Sequence, residues 1–101
     1  MYKVAFEQDA QKEFLKLQKS IQAFVAAKIL ELQAGHFLGD KALKGKHKGK
    51  FRKRAGDYRI VYLKEGELLV ITIIRVAHRK EVYYIVDPEK PKTTNVKAFF
   101  L

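Results

Sequence analysis

The sequence predicts an α+β domain in which two helices cover one face of an antiparallel sheet, in the order β-α-α-β-β-β with a short last strand possible. Two observations predict it: hydrophobic residues recur at helical spacing early in the chain, and strand-like runs joined by tight turns follow. With 101 residues, 48% of them hydrophobic, the chain is expected to form one domain with a single core. We assign that domain to residues 1–87 and a tail to residues 88–101.

The N-terminal part of the chain contains the signals for one strand and two helices. The run YKVAFE at residues 2–7 alternates between two faces, as in a half-buried strand. Asp9 and Ser20 are good N-caps for two helices, and Gly35 is a C-cap that would end the second. Because the helices are nearly contiguous, we expect an antiparallel helical hairpin.

The second half of the chain predicts three strands and a possible fourth. Residues 36–49 show neither period and contain three glycines, which indicates a loop. A short basic strand at 50–55 is followed, after a tight turn, by a strand at 57–64. The run at 68–77 is apolar on both faces, so we expect it to be central in the sheet. Residues 81–86 give the possible last strand.

The positive charge is concentrated in one stretch of the chain. The formal net charge is +10. Residues 41–54 contain no acid and eight basic side chains: Lys41, Lys44, Lys46, Lys48, Lys50, Arg52, Lys53 and Arg54. Charge concentrated in this way suggests a phosphate-bearing partner. The alternative is a solvated, flexible basic loop.

Composition also limits the class of protein. The chain has no cysteine, so neither a disulfide framework nor a thiolate metal site is available, as expected in a reducing cytoplasm. The first residues lack the apolar run of a signal peptide, and no stretch reaches the roughly 18 apolar residues that a membrane-spanning helix needs. We therefore expect a soluble, cytoplasmic protein with no membrane partner.

The face of the sheet opposite the helices is expected to carry the functional side chains. Arg52 and Arg54 are two residues apart, so they project from one face of the same strand. The full set predicted near that face is Arg52, Arg54, Arg59, Arg75, His78, Arg79 and Tyr83. Guanidinium groups bind phosphate oxygens and stabilise a pentacoordinate transition state, an imidazole can move a proton, and a phenol ring can stack on an unpaired base.

Each of these residues also has a purely structural explanation. Arg59 could bridge to Asp57 or Glu81, His78 could be a solvated turn residue, and Tyr83 could pack on the sheet edge. No single residue is specific for a function. Their order along the chain is what favours the functional interpretation.

That order resembles the RelE/ParE toxin superfamily, and particularly its RelE-like mRNA-cleaving members, over residues 2–86. The matching blocks are YKVAFEQDAQKEFLKL, LKGKHKGKFRKRAGDYRIVY and ITIIRVAHRKEVY. The resemblance implies two helices packed on a curved antiparallel sheet. It also implies a prokaryotic toxin that cuts mRNA, usually in the ribosomal A site, by attack of the mRNA's own 2′-hydroxyl on the adjacent phosphate. Toxins of this kind use no metal or other cofactor.

The resemblance assigns roles to individual residues. Arg52 and Arg54 occupy the positions where RelE-type enzymes have two lysines that activate the 2′-hydroxyl and bind the phosphate. Arg59 matches the arginine that stabilises the transition state. Arg79 matches the arginine that protonates the leaving 5′-oxygen, and Tyr83 matches the tyrosine that stacks on the substrate base.

Arginines at the two lysine positions leave the general base open, because a guanidinium is almost never deprotonated. The alternatives are Lys50, Lys53, His78, or a reaction that relies on charge stabilisation and substrate geometry. His78 also lies near the position where some relatives have a catalytic histidine. It therefore competes with Arg79 for the role of general acid.

The basic stretch is expected to bind the RNA backbone. The substrate-binding residues predicted are Lys44, Lys46, Lys48, Lys50, Lys53 and Arg75. The resemblance also implies a cognate antitoxin, which we expect to be acidic, and assembly of the two chains into a hetero-oligomer. The tail at 88–101 ends in two phenylalanines and a leucine. Whether it packs on the domain, pairs with a partner or is disordered is left open by the sequence.

Two other functions fit the same sequence less well. ParE-like toxins share the scaffold, lack the cleavage residues and poison DNA gyrase by binding it. A non-catalytic module could bind RNA or the ribosome through the basic stretch alone. The combination of arginines, His78 and Tyr83 favours the nuclease over both.

Overall fold

The computed structural model describes residues 1–43 and 49–81, which form two helices and five strands. The elements are β1 Lys3–Phe6, α1 Gln8–Lys16, α2 Lys19–Gln33, β2 Lys41–Ala42, β3 Lys50–Ala55, β4 Tyr58–Glu65 and β5 Val70–His78. The predicted α+β class with two helices and a sheet is confirmed. The strand predicted at 81–86, beyond its first residue, and the tail at 88–101 lie outside the described residues.

The five strands form one mixed sheet in the order β1-β5-β4-β3-β2. Strands β2 to β5 pair antiparallel with their neighbours, but β1 runs parallel to β5, with Val4 opposite Ile71. The fully antiparallel sheet expected from the sequence is therefore corrected at one edge. The reason is the connection between β1 and β2. The two helices carry the chain from β1 to the opposite edge of the sheet, and strands β2 to β5 then lead back towards β1 through three antiparallel pairings.

The hydrophobic core lies between the two helices and one face of the sheet. Its buried residues are Val4, Phe6, Ala10, Val25, Ile29, Leu32, Ala55, Ile60, Tyr62, Ile71, Ile73 and Val76. Val4 and Phe6 share a face of β1, as the alternation of residues 2–7 predicts. Strand β5 lies between β1 and β4 and is therefore an interior strand, as its two apolar faces predict, although the middle strand of the five is β4.

Both helices begin earlier than the capping residues predict. The N-caps are Glu7 for α1 and Gln18 for α2, so the caps predicted at Asp9 and Ser20 are wrong. At the first helix the sheet sets the start, since the backbone N–H of Glu7 still donates to the carbonyl of Ile73 at 2.9 Å. The chain leaves the sheet and enters the helix without a loop. Asp9 lies in the first turn, where its negative charge favours the helix dipole.

The end of α2 is set by Gly35, as the sequence predicts. Gly35 has φ 87° and directly follows the C-cap residue Ala34. Its N–H donates to Leu32 O at 3.0 Å, and the N–H of His36 donates to Glu31 O at 2.8 Å. This pair of bonds is a Schellman motif, which uses the left-handed conformation that glycine adopts easily. It turns the chain towards the far edge of the sheet.

A buried polar cluster links the segment between α2 and β2 to the helix-covered face of the sheet. Lys53, 5% exposed, projects from β3 towards the helices. Its Nζ donates to Asp40 Oδ1 at 3.3 Å and to the carbonyl of His36 at 3.2 Å, with Glu31 at 3.6 Å. Tyr62 Oη donates to the other Asp40 oxygen at 2.5 Å.

Candidate functional site

Strand register determines which side chains share the helix-free face of the sheet. Across the β3–β4 pair, Arg54 lies opposite Arg59, and Lys53 lies opposite the core residue Ile60. Residues opposite each other in a ladder project to the same face, and neighbours along a strand project to opposite faces. Arg52, Arg54 and Arg59 are therefore on the face without helices, as the sequence predicts.

A cleft of about 610 Å³ opens on this face. Its described lining residues are Gly39, Lys41, Arg52, Arg54, Arg59, Arg79 and Lys80. Four of them carry guanidinium groups and two carry amines, and no acid is among them. The volume is within the range of small-ligand sites. The cleft is therefore suited to a polyanion about the size of a nucleotide with its phosphates.

Arg59 is held in place by neutral carbonyl groups. Its Nη1 donates to the carbonyls of Gly56 at 2.8 Å and Tyr58 at 2.9 Å. The alternative in which Arg59 bridges to Asp57 or Glu81 is not observed, because no ion pair of the described residues joins them. The orientation of the guanidinium is fixed without neutralising its charge.

Three other guanidinium groups act on the charge of Arg59. Burial lowers the pKa of the Arg59 guanidinium, and the neighbouring charges of Arg54, Arg52 and Arg79 lower this pKa further. Arginine remains protonated despite such shifts. The folded protein thus holds mutually repelling cations together, and an anion in the cleft would relieve that repulsion.

Arg79 is fixed by its backbone and not by its side chain. Its N–H donates to the carbonyl of Asp57 at 2.7 Å. Its Nε lies 3.9 Å from Asp57 Oδ1, and the two side chains are 53% and 70% exposed, so this ion pair is weak. The guanidinium of Arg79 remains available to a ligand in the cleft.

His78 lies on the other face of the sheet, contrary to the prediction. In the β4–β5 ladder it is opposite Tyr58, whereas Ala77 is opposite Arg59. Its ring packs edge-on against Tyr58, with centroids 5.5 Å apart, and Tyr58 packs against the helix-side core. His78 Nδ1 also accepts a bond from the N–H of Lys80 at 3.2 Å. The expectation that an imidazole joins the arginines is corrected.

Two further predicted residues do not reach the cleft. Lys53 is buried on the helix side in the cluster described above. Arg75 makes a two-pronged ion pair with Glu13 of α1, with Nε–Oε1 at 3.1 Å and Nη2–Oε2 at 2.9 Å. The same carboxylate accepts the N–H of Val76 at 2.9 Å. We therefore leave Lys53 and Arg75 out of the site.

The remaining predicted residues divide into two groups. Lys50 lies opposite Leu63 and shares the face of Arg52, but it is not among the lining residues. The others lie outside the described residues: Lys44, Lys46, Lys48 and Tyr83. Their roles remain predictions.

Sequence reasoning missed Gly39, Lys41 and Lys80, which also line the cleft. Lys41 belongs to the two-residue strand β2, where it lies opposite Arg52. So short a strand leaves no periodic signal in the sequence. Lys80 follows Arg79 in a turn, and nothing in its sequence context separates it from an ordinary surface lysine.

The described residues offer neither a metal-binding cluster nor a membrane-spanning helix. Within residues 1–43 and 49–81, no group of three or more histidine, cysteine, aspartate or glutamate residues could hold a metal ion. In the same two segments, neither helix is long and apolar enough to cross a membrane.

Comparison with known proteins agrees with the fold and with the resemblance noted in the sequence. The family model described as the ParE toxin of a type II toxin–antitoxin system, parDE, matches residues 2–83. An Escherichia coli protein described as a RelE-like toxin is 35% identical over 80 residues, which cover 78% of this chain and 84% of that protein.

Solved structures give the same result. The toxin–antitoxin complex RelBE2 from Mycobacterium tuberculosis contains a chain with 32% identity and a TM-score of 0.69, covering 77% of this chain and 98% of that one. The intact E. coli RelBE complex contains one with 25% identity and a TM-score of 0.67, covering 77% and 96%. The chain described here therefore belongs to the ParE toxin family and is a toxin of the RelE/ParE superfamily of type II toxin–antitoxin systems.

Proposed function

We propose that the chain is a RelE-type endoribonuclease that cleaves mRNA on the ribosome without a metal ion. The observation that carries the proposal is the pair of Arg54 and Arg59, opposite each other in a cleft whose other described charges are also positive. Guanidinium groups bind phosphate oxygens through paired hydrogen bonds, so this cleft suits a phosphodiester. The resemblance to RelE-like toxins, and relatives described by that name, support the same activity.

In the proposed reaction, the 2′-hydroxyl gives up its proton to solvent, the 2′-oxygen forms a bond to the adjacent phosphorus, and the bond from phosphorus to the 5′-oxygen breaks. Arg59 stabilises the negative charge that the phosphate gains in the transition state. Arg52 and Arg54 bind phosphate oxygens, and Arg79 gives a proton to the leaving 5′-oxygen. The products are a 2′,3′-cyclic phosphate and a 5′-hydroxyl. Stacking of a base on Tyr83 remains part of the proposal.

The proposed partner that neutralises the toxin is an acidic antitoxin. The similar structures from M. tuberculosis, E. coli and Methanococcus jannaschii are complexes of a toxin with an antitoxin. A carboxylate-rich helix or strand would complement the net charge of +10 and the all-cationic cleft. We expect such a hetero-oligomer in the prokaryotic cytoplasm, where translating ribosomes are found.

Ribosome-dependent cleavage by the Arg59→Ala variant tests the proposal. Removing one preorganised donor should reduce the single-turnover rate by about 10²–10³-fold, while the melting temperature stays close to that of the parent. Lys19→Ala, a charge removal at the exposed start of α2, is the control and should cleave normally. Cleavage by Arg59→Ala at the parental rate would refute the assignment.

Gyrase inhibition is the second candidate function, and the match of the ParE family model to residues 2–83 is the observation in its favour. It predicts that the purified chain blocks supercoiling by DNA gyrase and leaves translated mRNA intact. The two assays, run on one preparation, separate the candidates.

A non-catalytic RNA- or ribosome-binding module is the remaining alternative. It predicts that Arg59→Ala and Tyr83→Ala retain RNA binding and any effect on growth. Neutralising the lysines between residues 44 and 50 would then abolish both.

A further inference from the structure

The orientation of the Arg59 guanidinium depends on two backbone carbonyl groups. Its Nη1 donates to the carbonyl of Gly56 at 2.8 Å and to that of Tyr58 at 2.9 Å. Three neighbouring guanidinium groups repel it. A cation that its neighbours repel keeps a defined position only where the groups that hold it are themselves fixed. The direction of these two carbonyls therefore matters for the site.

The carbonyl of Gly56 lies in the turn between β3 and β4. Gly56 and Asp57 are the two central residues of this hairpin, because Ala55 lies opposite Tyr58. Tyr58 already belongs to the ladder, and the carbonyl of Asp57 accepts the N–H of Arg79 at 2.7 Å. Gly56 has φ 60°, and glycine adopts more backbone conformations than any other residue. Its carbonyl is thus the one whose direction most needs an outside contact.

Phe24 of α2 supplies that contact. A Cβ built on Gly56 would lie 3.1 Å from Phe24 Cε2 and within 4 Å of two further atoms of the same ring. The ring therefore packs directly against the α-carbon of Gly56. The ring is also held on its own helix, because Lys28 Nζ lies 5.8 Å from the ring centroid and 3.1 Å from Glu31 Oε2.

Packing in the hydrophobic core does not account for the position of Phe24. The residue is 46% exposed, and among the described hydrophobic residues of α2 it is Ile21, not Phe24, that packs partly buried against the core cluster. The three atoms nearest to the Cβ position of Gly56 all belong to Phe24. What this ring contacts is the turn that orients Arg59.

We propose that Phe24 is a positioning residue of the cleft: by packing against Gly56, it fixes the direction of the carbonyl that holds Arg59 Nη1. The ring belongs to a helix on the covered face of the sheet and acts on the substrate only through the turn and Arg59. The helix thereby sets the geometry of a guanidinium group on the helix-free face. This role rests on the proposed ribonuclease function.

The experiment is a double-variant cycle in single-turnover cleavage of mRNA on ribosomes. Phe24→Ala should lower the rate at saturating toxin concentration by about 10–10²-fold, because a catalytic group displaced by about 1 Å can lose that much. The half-saturating toxin concentration should stay within about twofold, since no charge of the cleft is removed. In an Arg59→Ala background, Phe24→Ala should cause no further loss, whereas a general effect on folding would lower the rate by the same factor in both backgrounds.

Two further variants serve as controls. Leu30→Ala removes another exposed apolar side chain, 56% exposed, from the same helix and should cleave like the parent. Phe24→Leu keeps carbon atoms as far as the δ position, where the ring has an atom 3.8 Å from the Cβ position of Gly56, so it should lose less than Phe24→Ala. If Phe24→Ala does not fold, Phe24→Leu takes its place in the cycle, with a smaller loss that also disappears in the Arg59→Ala background.

The outcomes separate this role from the underlying function. If Arg59→Ala is impaired while the Phe24 variants cleave at the parental rate, or lose the same factor in both backgrounds, only the role of Phe24 is overturned. If the parent does not cleave mRNA, or Arg59→Ala cleaves normally, the ribonuclease proposal falls and the role of Phe24 falls with it.

Discussion

Arg54 and Arg59 lie directly opposite each other in the β3–β4 ladder, on the face of the sheet that no helix covers. Like charges at opposed positions destabilise a sheet, by an amount in the range of about 0.2–1 kcal/mol. The carboxylate of Asp57 makes its ion pair with Arg79, at 3.9 Å, and its charge offsets only part of the repulsion that lowers the pKa of Arg59. The fold therefore carries an unfavourable contact at the point where the proposed ligand would bind.

Replacing Arg54 should stabilise the free protein and impair its activity. In Arg54→Gln the opposed charges are gone, so the free energy of unfolding should rise by up to about 1 kcal/mol at low salt. The gain should shrink as salt screens the parent's repulsion. Urea unfolding at two NaCl concentrations measures both effects.

Arg54→Lys, which keeps the charge, is the matched control and should show neither gain nor salt dependence relative to the parent. Ribosome-dependent cleavage by Arg54→Gln should fall. If Arg54→Gln is less stable than the parent at low salt, the charges of Arg54 and Arg59 do not repel each other appreciably.

The buried pair of Asp40 and Lys53 should be important for stability. Asp40→Asn leaves the Lys53 ammonium, 6% exposed at its side chain, without its buried carboxylate, and breaking a buried pair costs about 3–5 kcal/mol. We expect the lower end of that range, since Glu31 and a carbonyl remain near the ammonium. Urea unfolding measures the loss.

Lys28→Gln is the control for Asp40→Asn, because it removes a more exposed pair with Glu31, at 3.1 Å, and should cost less than about 1 kcal/mol. The double variant Asp40→Asn/Lys53→Met should be more stable than the sum of its single changes predicts, since removing both partners leaves no unpaired charge. If the stability loss of the double variant equals the sum of the losses of the two single variants, Asp40 and Lys53 do not interact as a buried pair.

Tyr62 should make the protein sensitive to alkaline pH. Burial raises the pKa of the Tyr62 hydroxyl, and the hydrogen bond to Asp40 and the charge of that carboxylate raise it further. Because the pKa of this hydroxyl is higher in the folded state than in the unfolded chain, its contribution to stability is complete below the unfolded pKa of about 10. That contribution is lost as pH rises above this value.

The free energy of unfolding should therefore fall more steeply between about pH 10 and 11.5 in the parent than in Tyr62→Phe. Tyr58→Phe is the matched control and should keep the parental slope, since Tyr62 is intact. Equal slopes for the parent and Tyr62→Phe would show that Tyr62 does not titrate differently in the two states.

The side of the sheet on which His78 lies could not be predicted from the sequence. Strand alternation and the hairpin turn near Gly66 predict a regular ladder between β4 and β5. In such a ladder His78 would share a face with Arg59. The structure contains an irregularity in the β4–β5 pair between Val61 and Tyr62. One extra residue there moves every later side chain of β5 to the opposite face. Sequence alone does not reveal such a bulge.

The shared face of Arg52 and Arg54, in contrast, could be predicted because their strand is regular. Strand β3 has the bounds Lys50–Ala55 that the sequence predicts, because glycines with φ of 91° and 60° end it on both sides. Within so regular a strand, residues two apart must share a face. Lys41 could not be found in this way, since its strand is defined by pairing with β3 and by the buried contacts of Asp40.

Gly56 forms the turn between β3 and β4 and also contacts Arg59. Its replacement should therefore affect both stability and cleavage. It has φ 60°, and a Cβ there would lie 3.1 Å from Phe24 Cε2. Gly56→Ala should therefore lose about 1–2 kcal/mol of stability. Its carbonyl also holds Arg59 Nη1, so a shifted turn should lower the cleavage rate. Gly66→Ala, where a Cβ meets nothing within 4 Å and φ is not positive, is the matched control and should be nearly neutral. If Gly56→Ala loses stability but cleaves at the parental rate, the turn is not what positions Arg59.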